Sequence, residues 1–197
     1  DSKGELVGGG ILVFIVLFLS TTIPTILLYF LYRNSTWVGI LAESVMCYQL
    51  LATKCLKVES MRVYYALNKG DLVEARHSVS MIVGRDTANL DESGITRAAI
   101  ETVAENTSDG VIAPILYMAI GGAPLGFFYK AINTMDSMVG YKNRCYFYLG
   151  RFSARMDDVL SYLPARITGL LLPVAAWLCR QDAGLAWRML WRDHSKH

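Results

Sequence analysis

The sequence predicts an all-α, multi-pass integral membrane protein with a broken or re-entrant helix at Gly121–Pro124. Three observations predict it: long uncharged apolar runs, a low overall charge, and basic residues on both sides of one of those runs. Of the 197 residues, 53% are hydrophobic and 18% charged, against about a quarter charged in an ordinary soluble domain. Mean hydropathy is +0.33. The formal net charge of +2 is small and dispersed, which argues against nucleic-acid binding. Cys47, Cys55, Cys145 and Cys179 stand far apart without CxxC spacing. They read as reduced core residues, with neither a metal site nor a disulfide framework.

Gly8 to Leu31 contains no charge, and a spanning helix needs ~20 such residues. Pro24 kinks this segment, which membrane helices tolerate. The apolar stretch is too long for a signal peptide and has no basic leader. Arg33, Asn34 and Ser35 make a turn, and Thr36 to Thr53 is apolar again apart from Glu43. Residues 8–53 therefore read as a transmembrane helical hairpin. A polar stretch follows. A helix through Leu56 and Leu67 is expected to stop at Gly70, and Asp71 with Glu74 has capping-box spacing for a second helix. Leu72, Ala75, Val79 and Ile82 give that second helix an apolar face, and Gly84 ends it. A third helix starts near Asp91 or Ser93, with Ile95, Ala99 and Val103 on one side and Arg97, Glu101 and Glu105 on another. Nothing alternates like a strand.

Val111 to Tyr129 is apolar but interrupted by Gly121, Gly122, Ala123 and Pro124. Lys54, Lys57, Arg62, Lys69, Arg76, Arg85 and Arg97 precede it, and Lys130, Lys142, Arg144, Arg151 and Arg155 follow it. The positive-inside rule places both groups in the cytoplasm, and a single crossing between them would separate them. The chain is therefore expected to dip in and turn back at the Gly-Gly-Ala-Pro step, or to lie buried without crossing. Ile167 to Cys179 is short for a span unless it recruits Val159 to Arg166. Beyond it, Trp187, Arg188, Trp191 and Arg192 suit an interfacial helix. The chain reads as one membrane-embedded helical domain over 1–197, with a polar cytoplasmic-side core at 54–166 and an apolar segment plus tail at 167–197. It starts at Asp1 without a methionine and stops within a charged stretch, so a fragment of a longer chain is expected.

Residues able to do chemistry gather between Arg85 and Arg166. Arg97, Glu101, Glu105 and Asp109 share a helix face if the helix persists that far. Carboxylates at this spacing can hold a hard cation through oxygen ligands, or can form a solvated, salt-bridged face. Carboxylates at a membrane boundary are expensive, which favours function. Arg85, Asp86 and Thr87 follow a helix stop and sit in a loop, where binding groups collect; a structural Asp turn is the alternative. Lys130, Asn133, Thr134 and Asp136 recur at near-helical spacing after the glycine-proline break. Lys142, Arg151, Ser153, Arg155, Asp157, Asp158 and Arg166 interleave cations with hydroxyls and carboxylates, a mixture suited to phosphate. Anchoring of the flanks explains Lys142 and Arg144 as well, but not the Asp157-Asp158 pair. There is no Walker loop, GxGxxG, HExxH or GxSxG. His77 and His194 are isolated and His197 is terminal, so a His-based triad or zinc site is not expected.

The strings GRDT at 84–87, AENTSDG at 104–110, GGAP at 121–124, YKAINTMDSMVGYK at 129–142 and SARMDD at 153–158 together closely resemble the CobD/CbiB family of cobalamin-biosynthesis membrane proteins, the adenosylcobinamide-phosphate synthases. The resemblance runs from about Gly70 to the C-terminus. It implies a multi-pass helical protein of the inner membrane with its active side cytoplasmic. Family members extend further at both ends, with a Pro/Asn/Gly-containing motif expected just beyond His197. The implied reaction joins the amino group of aminopropanol, or its O-phosphate, to a side-chain carboxylate of (adenosyl)cobyric acid, giving (adenosyl)cobinamide or its phosphate. ATP and Mg²⁺ are implied as cofactors, with the corrinoid as substrate.

Against that chemistry, Asp86, Glu105 and Asp109 are expected to do catalytic work and to hold the metal. Arg85, Arg97, Lys130, Lys142, Arg151 and Arg155 would bind phosphates, and Glu101 would orient Arg97. Thr87, Asn106, Asn133, Asp136, Ser153 and Asp158 complete the expected substrate-binding set. The expected partners are the corrinoid and aminopropanol phosphate, the lipid bilayer, and an oligomeric copy or other corrinoid-pathway enzymes. A transporter and a non-catalytic membrane subunit are the alternatives. A transporter would carry charges deep in its apolar runs, where only Glu43 stands, and a subunit needs no converging carboxylates and arginines.

Overall fold

The computed structural model describes residues 2–139 and 150–192. Lys142, Arg144, Cys145, His194 and His197 lie outside the described residues. Every regular element among the described residues is helical: α1 (Ser2–Asn34), α2 (Thr36–Leu50), α3 (Thr53–Asn68), α4 (Leu72–Ser80), α5 (Glu92–Thr107), a π-helical turn (Ser108–Ile112), α6 (Ala113–Val139), α7 (Arg151–Leu178) and α8 (Ala183–Arg192).

Two bodies of different chemistry result. α1 is apolar on every side, and Phe14, Phe18, Ile23 and Phe30 are each more than half exposed. In water such a surface would aggregate, whereas in lipid it is the solvated face. Among the described residues, three stretches are long and apolar enough to span a membrane: Val7–Asn34, Glu92–Met138 and Arg151–Leu178. α2 doubles back on α1, and both pack on α6, which also packs on α7. Val13 of α1 meets Ile132 and Met135 of α6, with Met156 and Leu160 of α7 beside them. α7 is continuous from Arg151 through Pro164 and Pro173, so the apolar segment at its end does recruit the preceding residues.

The second body is a small helical layer of α3, α4 and α5 around Val63, Ala66, Ala75, Val79, Ile95 and Ala98, all buried. Burying each Val or Ile here contributes roughly 1.5–3 kcal/mol. Its boundaries follow local chemistry. Gly70, at φ +73, lets the chain leave α3. Asp71 accepts from Glu74 N–H at 3.0 Å and Asp91 from Gly94 N–H at 2.8 Å, satisfying donors that a helix start leaves unpaired. The expected apolar face of α4 needs one correction. Ala75 and Val79 are buried and Ile82 is half-buried, but Leu72, at the first position of α4, is exposed.

α6 decides the topology. Gly121 (φ −143°, ψ 28°) and Gly122 (φ 64°, ψ −164°) are non-helical. In an unbroken helix, Tyr117 and Tyr129 would be separated by roughly 18 Å along the axis. Their rings instead stack with centroids 4.9 Å apart and planes 10° from parallel. The segments 113–120 and 123–139 therefore lie side by side as a re-entrant hairpin. The stretch Glu92–Met138 is long enough to cross but turns back, so Arg151 and Arg155 at the start of α7 return toward the end of the bundle where α5 lies. The Ala52 N–H donates to Gly110 O at 3.0 Å, tying the α2–α3 junction to the π-helical turn at the base of this hairpin.

Candidate active site at the base of the re-entrant hairpin

Where α5 runs into the π-helical turn, a cleft of about 430 Å³ opens beside the second hairpin arm. Ile82, Val83, Gly84 and Arg85 form its rim. Glu101, Thr102, Glu105, Asn106 and Asp109 line one wall, and Asn133 and Ser137 line the other. Glu101, Glu105 and Asp109 thus share a face, as their spacing requires. The hydrogen-bonding pattern shifts from α to π at Ser108–Ile112, an irregularity often found at functional sites. Glu105, Lys130 and Asp136 stand near enough to Asp109 to act on its charge. Asp109 and Asp136 act likewise on Asp157, and Asp158 on Asp136. The two polar segments on either side of the hairpin converge.

α7 packs on the hairpin and the π-helical turn beside the cleft. Asp157 accepts from Asn133 Nδ2 at 3.5 Å and from Ser161 Oγ at 3.4 Å. Ser161 and the Tyr129 hydroxyl share a hydrogen bond of 3.2 Å. The Tyr117 hydroxyl donates to Leu160 O at 3.0 Å. The stacked tyrosines thus sit between the hairpin arms and α7, near a group of five carboxylates (Glu105, Asp109, Asp136, Asp157 and Asp158).

The structure sorts the expected residues. Arg85, Glu105, Asn106, Asp109 and Asn133 come together in the cleft, with Lys130, Asp136 and Asp158 beside it. Arg97 does not join them. It lines a neighbouring depression with Asp91, Thr96 and Glu101. Glu101 does not pair with it as expected but forms an ion pair of 2.7 Å with Arg85. Asp86 is exposed and accepts from Ala88 N–H at 2.9 Å, the Asp turn that was the alternative. Thr87 is buried, its hydroxyl donating to Arg76 O at 3.2 Å, and Ser153 is buried, donating to Gly150 O at 2.9 Å. Both hydroxyls are spent on backbone. Arg151 and Arg155 are exposed on the first turns of α7.

The expected metal set of Asp86, Glu105 and Asp109 is not assembled. Among the described residues no three His, Cys, Asp or Glu side chains stand close enough to hold a metal. Mg²⁺ needs less than that, being held typically by one or two carboxylates plus substrate phosphates and water. Glu105 and Asp109, on one wall of one cleft, fit that requirement. Thr102, Ser137, Tyr129 and Ser161 were not singled out from the sequence. Asp157 figures in the sequence only as half of a pair, although it, and not Asp158, takes the cross-helix hydrogen bond from Asn133. No local signal distinguishes the two, since the choice depends on which helix faces α7.

The family model described as CobD/Cbib protein matches residues 1–197. The chain belongs to the CobD/CbiB family. It is 48% identical over 191 residues to the cobalamin biosynthesis protein CobD of Klebsiella pneumoniae, covering 97% of this chain and 60% of that protein. It is 45% identical over 197 residues to CobD of Clostridium tetani, covering 100% and 62%. The cobalamin biosynthesis protein CbiB of Salmonella typhimurium is 46% identical over 195 residues, 99% of this chain and 61% of its own length. The chain thus spans about 60% of the length of these curated CobD/CbiB relatives. No solved structure matches it.

Proposed function

We propose that this CobD/CbiB chain carries the reaction centre of a membrane enzyme of cobalamin biosynthesis. The reaction couples the amino group of aminopropanol, or of its O-phosphate, to a side-chain carboxylate of (adenosyl)cobyric acid. The observation that carries this reading is the cleft itself. Glu105 and Asp109 from one segment meet Asn133 from another beneath Arg85, in a chain of this family.

Forming the amide requires one carboxylate oxygen to leave and the amine nitrogen to lose a proton. ATP would supply the first requirement, since its transferred phosphate would carry that oxygen away. An amine arrives protonated at neutral pH, and the carboxylate-rich cleft attracts the ammonium form and orients it. One of Glu105 and Asp109 takes a proton from the ammonium, freeing the nitrogen lone pair for attack, a role worth typically 10²–10⁴-fold in rate. The second proton passes to water as the amide forms. Mg²⁺ held by the other carboxylate, with phosphate oxygens and water, would neutralise phosphate charge. Arg85 at the rim and Lys130 beside Asp109 supply cations for phosphate oxygens, and Arg151 and Arg155 extend that set along α7. Asn133 and Asp136 orient substrate from the second arm, with Asp158 behind them. Arg97, Asp86, Thr87 and Ser153 are left out of the centre because their surroundings occupy them elsewhere. By the positive-inside rule, this reading expects the cleft to face the cytoplasm from the inner membrane.

A transporter would share the broken helix but would carry a polar path through the hairpin, where Tyr117, Phe128, Tyr129 and Ile132 pack instead. The test is amide formation by the full-length protein in membranes, with ATP and Mg²⁺ omitted in turn. Product is expected only when both are present. Asp109→Ala and Glu105→Ala are each expected to slow the reaction by about a hundredfold or more. A rate independent of ATP, or unchanged in both variants, rejects the reading.

A further inference from the structure

Glu43 is the sole charged residue of α2, and the proposed reaction gives it no role. Its two oxygens reach two different helices. Oε1 accepts from the Ala123 backbone N–H at 3.2 Å, and Oε2 accepts from the Tyr32 hydroxyl at 2.5 Å. Ala123 begins the second hairpin arm. Because Gly121 and Gly122 are non-helical, its N–H belongs to a helix start with no partner of its own. A carboxylate suits that position, where the helix dipole presents partial positive charge.

The surroundings leave room for this contact. Gly122 has φ +64, and a Cβ there would lie 2.5 Å from Glu43 Oε1. Gly39, one turn before Glu43 on α2, lies against the Tyr32 ring, where a Cβ would come within 2.7 Å of three ring atoms. The absence of side chains at these two positions lets the Tyr32 ring lie on α2 and the carboxylate reach the hairpin apex. Two helices and a turn thus build one contact across 80 residues of sequence.

We propose that Glu43 is a positioning residue, pinning the start of the second arm and so setting Lys130, Asn133 and Asp136 against Asp109. From Ala123 to Asn133 is roughly 15 Å of helix, which moves as a unit, so a slip at the apex reappears in the cleft. Misplacement by 1 Å can cost about a hundredfold in rate. The kinetic half of the proposal rests on the reaction proposed above; the geometric half does not.

The experiment uses the full-length protein with its native cysteines replaced and spin labels at Ile100 of α5 and Thr134 of the second arm, both exposed. Wild type and Glu43→Gln are expected to give the same narrow label-to-label distance. The Gln carbonyl still accepts from Ala123, and its amide can donate to the Tyr32 oxygen. Glu43→Ala is expected to broaden or shift that distance and to lower kcat about tenfold or more per folded protein, with most of the loss restored in Glu43→Gln. An unchanged distance in Glu43→Ala, or a Glu43→Gln as defective as Glu43→Ala, overturns the proposal. Should Glu43→Ala fail to accumulate, Tyr32→Phe removes one of the two bonds and is expected to broaden the distribution. A distribution in Tyr32→Phe as narrow as in wild type overturns the proposal equally. If wild type itself forms no amide, the proposed reaction falls while the label distances still decide the role of Glu43.

Discussion

Glu101 has Arg97 one turn away on its own helix and Arg85 on the loop before it, and it pairs with Arg85 at 2.7 Å. Helical spacing favours the first arrangement by a few tenths of a kcal/mol, and the packing of the 82–87 loop against α5 overrides so small a preference. Both partners are more than half exposed, so the pair contributes no more than about 1 kcal/mol to stability. That separates structure from chemistry. Arg85→Ala is expected to leave thermal unfolding nearly unchanged while raising KM for the phosphate-bearing substrate of the full-length protein. A large fall in stability with unaltered kinetics would show that Arg85 serves the fold alone. Asp86 and Thr87 behave in the opposite way. They stand in the same motif as Arg85, yet a backbone N–H engages one and a buried carbonyl the other.

Several elements start or stop where their own residues require, although α4 ends at Ser80 and not at Gly84. Gly70 lets the chain leave α3, and Asp71 and Asp91 cap the helices that follow, because capping involves residues three positions apart and needs no tertiary context. Substituting Asp71 by Ala is expected to cost about 1 kcal/mol. Gly122→Ala should cost more, on the order of 1–3 kcal/mol for the backbone conformation alone, with the approach of Glu43 Oε1 in addition. Comparing both variants by thermal unfolding in one detergent checks the order. A smaller effect at Gly122 would mean that the hairpin apex is looser than its geometry implies. The π-helical turn was less legible. The sequence showed carboxylates recurring at helical spacing through Asp109 but not the change of hydrogen-bond register beneath them.

At the scale of the whole molecule, α1 and α2 go out and return, and the α6 hairpin dips in and returns. The α3–α5 layer and the cleft therefore lie at one end of the bundle and the α1–α2 turn at the other, which in a bilayer predicts opposite sides. Single cysteines at Asn34 and Asn68, in a protein stripped of native cysteines, are expected to react with an impermeant thiol reagent from opposite sides, and one at Thr134 from the same side as Asn68. Labelling of Thr134 from the side of Asn34 would mean that the second arm crosses, and the cleft would lose Asn133.

The apolar runs, the caps and the glycine-proline step within the 111–129 segment determined the class, several helix starts and stops, and the break in α6. Each of these follows from residues near one another in sequence or from the cost of charge in lipid. The motif strings carried the family. Only the tertiary structure decided that Glu101 answers Arg85, that Asp157 rather than Asp158 binds Asn133, and that Glu43 reaches Ala123. These contacts join segments 16, 24 and 80 residues apart. Which side chain faces which helix is fixed by packing of the whole bundle, and no local pattern records it.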